Sequence, residues 1–229
     1  AKKIPLTKDL HFDFERLKNS KGKLLTFAHP NAPTGILEQR DALVDLVKSF
    51  NGIVLSDEAY IDFAPIGTSL ISEINNFDNL IVSRTYSKSY SLTGIRVGYL
   101  VGNENSIALL EKLKDSYNVG MLEQYIALAA EKDQKYFLQN RKKVIESREK
   151  MRTKLISLGF EIPKSESNFL FAKPPSSLTA NGIFNALKKN NILIRYFTDE
   201  ISKRYIRITV GTEKENKIVV DTIQKLLQP

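Results

Sequence analysis

With 229 residues, 42% apolar and 26% charged, the chain has the make-up of a globular protein of one large domain, or one and a half ordinary ones. It contains no cysteine, which excludes disulfides, thiolate catalysis and cysteine-ligated metals. Its two histidines, His11 and His29, are too far apart in sequence to suggest a metal site. No stretch approaches the roughly 18 apolar residues of a membrane span, the start is neither a signal nor a transit peptide, and a cytoplasmic enzyme is the default. The net charge of +8 is carried in short clusters such as Lys142-Lys143 and Lys188-Lys189, a solvated-face pattern with no nucleic-acid-binding motif beside it, and an anionic ligand would use part of the excess.

In chain order, an amphipathic helix is expected around Phe12 to Leu17, then a strand Leu24 to Ala28 that runs into His29-Pro30-Asn31-Ala32-Pro33-Thr34-Gly35, a loop fixed by its prolines and glycine. A helix from about Leu37 to Phe50, with Leu43, Leu46, Val47 and Phe50 on one face, stops at Asn51-Gly52. The strand Ile53 to Leu55 delivers Ser56-Asp57-Glu58-Ala59-Tyr60 at its end; a short helix near Ser69 to Asn75 and the strand Leu80 to Arg84 repeat the rhythm. Apolar strands alternating with helices imply a mainly parallel sheet covered by helices on both faces, in which ligands collect beyond the carboxyl ends of the strands, so the three polar loops are expected to share one crevice.

Arg96 to Val101 reads as a further strand, antiparallel to the rest, and Asn105 to Lys114 as a helix. One long helix is expected from about Leu122 to Leu158, stopped by Gly159. Beyond Pro163 the pattern changes to strand 168–172, helix 179–190, strands 192–196 and 205–210, and a last helix opened by Thr212 and Glu215 at capping-box spacing. The fold class is therefore α/β, with residues 1–120 in a large domain, 121–159 a connecting helix and 160–229 a small α+β domain.

The chemistry centres on Ser83 to Tyr99. Lys88 lies among small hydroxylated residues just after a buried strand, a poor address for a solubilising lysine; a partly desolvated amine loses its charge more easily and can form a Schiff base with an aldehyde. Thr85, Ser87 and the forked guanidinium of Arg96 would hold a phosphate dianion beside that amine, and a lysine next to a phosphate cradle suggests pyridoxal phosphate.

Pro33-Thr34-Gly35, Asp57 with Tyr60, Ser87-Lys88 with Arg96, and Arg207-Ile208-Thr209 resemble in order and spacing the fold-type I pyridoxal-phosphate-dependent aminotransferases, most of all the histidinol-phosphate aminotransferases. The resemblance covers essentially the whole chain from residue 4. It implies that Lys88 bonds the coenzyme aldehyde and later moves the substrate proton. Asp57 would pair with the protonated pyridine nitrogen, a helix cap being the plainer alternative, and Tyr60 would donate to the ring oxygen unless it is a packing aromatic. It further implies that Arg207 forks onto the substrate carboxylate, that Arg195 meets a substrate phosphate, and that Asn168 lies close to Arg207, with packing as its alternative.

Two departures stand out. The family's asparagine before Pro-Thr-Gly is replaced by Ala32, leaving Asn31 to reach in or Tyr60 to serve alone. The chain also begins with Ala1 and lacks the family's amino-terminal portion, so the natural protein is expected to be longer and this stretch to bind coenzyme weakly. The expected activity is exchange of an amino group between glutamate and a phosphorylated keto substrate, the histidinol phosphate/imidazole-acetol phosphate pair, in a homodimer. An aromatic aminotransferase or a threonine-phosphate decarboxylase is the nearest alternative. A pyridoxal-phosphate-sensing domain of a transcription regulator is the alternative from another class.

Overall fold

A computed structural model describes residues 1–227. The chain divides into two compact units, one made of Ala1–Ala32 and Ile36–Leu138, the other of Pro33–Gly35 and the described residues from Gln139 onward.

The first unit is built on a four-stranded sheet in the order β1 (Leu24–Ala28), β2 (Ile53–Asp57), β3 (Leu80–Thr85), β4 (Gly98–Gly102). β1, β2 and β3 run parallel, as the apolar strand–helix–strand rhythm predicts, and β4 returns antiparallel. The register sets Ala28 opposite Asp57 and Asp57 opposite Ser83, so the strands end in one row and their loops leave the sheet at the same edge. Gly98 is required where β4 meets β3, because a Cβ there would stand 2.7 Å from the carbonyl oxygen of Arg84.

One face of this sheet is a packed core. Leu25, Phe27, Val54, Leu80 and Val82 alternate onto it and meet Leu43, Leu46 and Val47 from α2 (Arg40–Ser49). The opposite face is thinner than expected: Leu24 is 58% exposed and Leu100 46%. The first helix, α1, is shorter than anticipated (Phe14–Lys18) and is capped by the Asp13 side chain. α2 starts later than its apolar pattern because Glu38 turns inward, accepting from the backbone N–H of Phe12 at 2.8 Å and lying 3.0 Å from His11 Nδ1.

The single long helix expected over 121–159 is two helices. α3 (Glu104–Glu111) is followed by α4 (Met121–Lys132) and α5 (Gln134–Ser157), broken at Asp133. Asp133 leaves the helical region (φ −96°, ψ 61°) and its carboxylate accepts the backbone N–H of Tyr136, so a residue that looks like one more helical position opens the next helix.

The second unit packs Met151 and Leu155 of α5 and Ile183 and Leu187 of α6 (Ala180–Lys189) with Leu170, Ile206, Ile208 and Ile223. Its antiparallel sheet has the order β5 (Phe169–Ala172), β7 (Ile206–Thr209), β6 (Arg195–Tyr196). β6 is two residues long where five were expected. The capping box of α7 (Glu213–Leu227) forms as its spacing predicts: Thr212 N–H donates to Glu215 Oε2 at 2.8 Å and Glu215 N–H to Thr212 Oγ1 at 3.3 Å.

Candidate active site

Seven of the ten residues singled out by sequence lie in the first unit. β2 ends in Asp57, exposed, with Oδ1 accepting the N–H of Ala59 at 3.0 Å. Three residues on, Tyr60 is half-buried, and the Lys88 ammonium stands 5.5 Å from its ring centroid. Asn31, buried in the loop after β1, donates its backbone N–H to Ile36 O at 2.8 Å. The expected crevice is thus only partly traced by strand ends, since Pro33-Thr34-Gly35 packs within the second unit. There Gly35 has φ +76°, its carbonyl accepts from Glu166 N–H at 2.8 Å, and a Cβ on it would collide with Ser165 Oγ at 2.3 Å.

The loop after β3 gathers the proposed phosphate ligands. Ser87 N–H donates to Thr85 Oγ1 at 3.0 Å, Arg96 Nη1 reaches Ser87 Oγ at 3.4 Å, and Thr93 Oγ1 closes onto Ser87 O at 2.7 Å. Arg96 and Ser91 take left-handed backbone conformations (φ 55° and 58°), which cost a non-glycine residue about 1 kcal/mol and persist only where surroundings impose them. Neither Arg96 nor Lys88 has a carboxylate within ion-pairing distance among the described residues. Two hydroxyls, a guanidinium and an amine without acidic partners form a set of donors that fits a phosphorylated aldehyde.

Around this loop lies a shell that sequence reading missed. Tyr86 and Tyr90 hydroxyls both donate to Glu131 Oε1 of α4 at 3.1 Å, and the Tyr90 ring stacks on Phe137 at 4.4 Å. Burial, with Glu131 beside them, pushes the Tyr90 phenol up to about 12 and raises the Tyr86 phenol as well. Glu58, 1% exposed, is pushed up by burial against the pull of Ser69, the Leu70 N–H and Arg84. Only its position beside Asp57 hinted at a role, because a lone glutamate in a strand-end loop reads as solvated.

The remaining three candidates are in the second unit. Arg195 and Arg207 are direct cross-strand neighbours on β6 and β7. Their guanidinium carbons lie 5.5 and 5.7 Å from the same Phe197 ring, and Arg207 also sits 4.9 Å from Phe169. Like charges opposite each other destabilise a ladder, and neither arginine pairs with a carboxylate among the described residues. Arg207 Nε is buried without a hydrogen-bond partner. Asn168 accepts the Val210 N–H with its backbone oxygen at 2.8 Å, which holds it at the head of β5. No group of three or more His, Asp or Glu is arranged to hold a metal among the described residues, and none of their helices is long and apolar enough to cross a membrane.

A mainly parallel sheet with a lysine loop at its strand ends, and a second, antiparallel sheet presenting paired arginines, place the chain among the aminotransferase-like folds. The chain belongs to the aminotransferase class I and II family, whose sequence model matches residues 1–223. It is similar to the histidinol-phosphate aminotransferase of Brachyspira hyodysenteriae, 40% identical over 230 residues, 99% of this chain and 64% of that protein. It is likewise similar to that of Microcystis aeruginosa, 39% identical over 207 residues, 90% of this chain and 59% of that one. The chain thus spans about 60% of the length of these relatives. In fold it matches the histidinol-phosphate aminotransferase of Sinorhizobium meliloti, solved in complex with pyridoxal-5′-phosphate, with a TM-score of 0.88 at 24% identity, over 97% of this chain and 64% of that one.

Proposed function

We propose that the protein is a pyridoxal-phosphate-dependent aminotransferase that exchanges an amino group between glutamate/2-oxoglutarate and a phosphorylated substrate, the histidinol phosphate/imidazole-acetol phosphate pair. Family membership and the kinship to histidinol-phosphate aminotransferases support the reaction class. The observation that carries the substrate class is the cross-strand pair Arg195 and Arg207, two cations placed side by side with no acidic partner. An anionic substrate relieves both their repulsion and the unpartnered Arg207 Nε. Residues 1–120 then belong to the large coenzyme-binding domain and 160–229 to the small one, working as a cytoplasmic homodimer.

When bound, pyridoxal phosphate supplies an aldehyde and an electron-withdrawing ring. The chain supplies the rest. Lys88 Nζ would be the amine offered to the aldehyde and, as the free base, would carry the proton between the substrate Cα and the coenzyme's C4′ carbon. Asp57 would hold the proton on the ring nitrogen, Tyr60 would donate to the ring oxygen, either alone or with Asn31 reaching in, and Thr85, Ser87 and Arg96 would bind the phosphate. Arg207 orients the substrate carboxylate, Arg195 its phosphate, and Asn168 supports Arg207.

The test is an absorbance titration of the protein with pyridoxal phosphate, followed by histidinol phosphate, phenylalanine or threonine phosphate. A near-visible band that histidinol phosphate abolishes, and the other two leave, is the expected result. Loss with phenylalanine or with threonine phosphate instead would move the activity to an aromatic aminotransferase or a decarboxylase. A band untouched by any amine donor would favour a coenzyme-sensing role.

A further inference from the structure

Beyond the groups that would touch coenzyme or substrate, the first unit contains a connected run of polar side chains with no part in the chemistry above. Glu58 Oε2 accepts from Arg84 Nη2 at 2.9 Å, from Arg84 Nε at 3.2 Å and from Ser69 Oγ at 2.6 Å, while Oε1 accepts the Leu70 N–H at 2.7 Å. Arg84 Nη1 reaches on to Asp62 Oδ1 at 3.5 Å, and Asp62 Oδ2 accepts from the buried Ser89 hydroxyl at 2.5 Å. The run begins one residue after Asp57, passes through the turn two residues after Tyr60, and ends one residue after Lys88.

We propose that Asp62 is a positioning residue for Lys88, acting through Ser89. Arg84 already gives Nε and Nη2 to the buried Glu58, at 3.2 and 2.9 Å, against a single 3.5 Å contact with Asp62. Asp62 Oδ1 faces Arg84, which is fixed in β3, and Oδ2 accepts from Ser89. Residue 89 is thereby tied to the segment carrying Asp57 and Tyr60. On the far side of the lysine, Ser91 N–H closes onto Lys88 O at 3.1 Å. With the backbone held at 89 and 91, the flexible lysine stem pivots about a fixed Cα and brings its ammonium to the Tyr60 ring. A charge-assisted hydrogen bond from a buried hydroxyl is short and directional, which suits it to this task. The proposal rests on reading Lys88 as the coenzyme lysine.

The test compares Asp62→Asn and Ser89→Ala with Glu73→Gln, which removes an ion pair to Arg40 elsewhere in the same unit. Two measurements are made on each purified protein: affinity for pyridoxal phosphate by absorbance, and the rate at which acetic anhydride acylates Lys88 relative to the other lysines, by peptide mass spectrometry. Asp62→Asn is expected to weaken coenzyme affinity about tenfold and Ser89→Ala several-fold. Both should change the relative acylation of Lys88 at least about threefold, with Glu73→Gln like the wild type. If Asp62→Asn does not fold, Ser89→Ala decides. An unchanged Lys88 rate in the variants, or an equal change in Glu73→Gln, overturns the proposal. Should the wild type bind no coenzyme while Lys88 acylation still answers to residues 62 and 89, the coenzyme reading falls and the positioning role stands.

Discussion

At the level of single residues, the outcome turns on which charges have partners. Lys88, Arg96, Arg195 and Arg207 have no ion-pairing carboxylate among the described residues, whereas Arg84 and Arg148, which nothing in the sequence singled out, are bound to buried acids. Arg195→Ala is expected to leave the glutamate half-reaction intact and to raise the KM for histidinol phosphate by about 10- to 100-fold, the worth of one or two charged hydrogen bonds; equal losses with both substrates would remove the phosphate role. His29 offers a pH signature. It is fully buried, Nε2 lies 3.2 Å from Thr68 O, Nδ1 has no partner, and burial lowers its pKa from 6.5. Its unfolded form therefore takes up a proton first. This contribution to stability is complete above about pH 6.5 and is lost as pH falls below that value, through the lowered folded pKa. Denaturant midpoints measured from pH 7.5 to 5 should fall in the wild type and fall less in His29→Asn.

Among the elements, the second unit shows how a helix is fastened to a sheet. Arg148 of α5 is 3% exposed, donating to Ser167 O at 2.9 Å and to Glu166 Oε2 at 3.1 Å just before β5 begins. Arg148→Ala leaves the Glu166 carboxylate buried with only the exposed Lys164 beside it, and should cost about 3 kcal/mol in urea unfolding followed by circular dichroism. Thr212→Ala, which opens the capping box of α7, should cost about 1 kcal/mol. Glu215, whose pKa is held down by the Thr212 N–H and hydroxyl, supports α7 above about pH 4.5 and ceases to do so as pH drops through its lowered value. The capping box was legible because Thr and Glu three residues apart meet through local backbone alone. The break at Asp133 was not, since the same aspartate would sit unremarked on a continuous helix.

Over the chain as a whole, two hydrophobic clusters are built from separate sets of residues, one on β1–β3 and α2, the other on α5–α7 and the antiparallel sheet. Leu46→Ala and Ile183→Ala each empty a fully buried site and should each cost 2–5 kcal/mol, roughly. Hydrogen exchange should accelerate in β1–β3 for the first and in β5 and β7 for the second; acceleration of all strands by either variant would contradict separate cores. Sequence alone determined the parallel strands, the helix faces, the lysine loop with its hydroxyls and arginine, and the family, because these rest on local periodicity and on residues close together in the chain. Only the tertiary structure decided that Arg195 stands opposite Arg207, that Pro33-Thr34-Gly35 packs with the second unit, that Asp62 and Glu131 hold the lysine loop, and that Glu58 holds Arg84 of β3. Those contacts join residues distant in the chain, and which acid a buried base finds is set by strand register and packing, not by anything beside it in sequence.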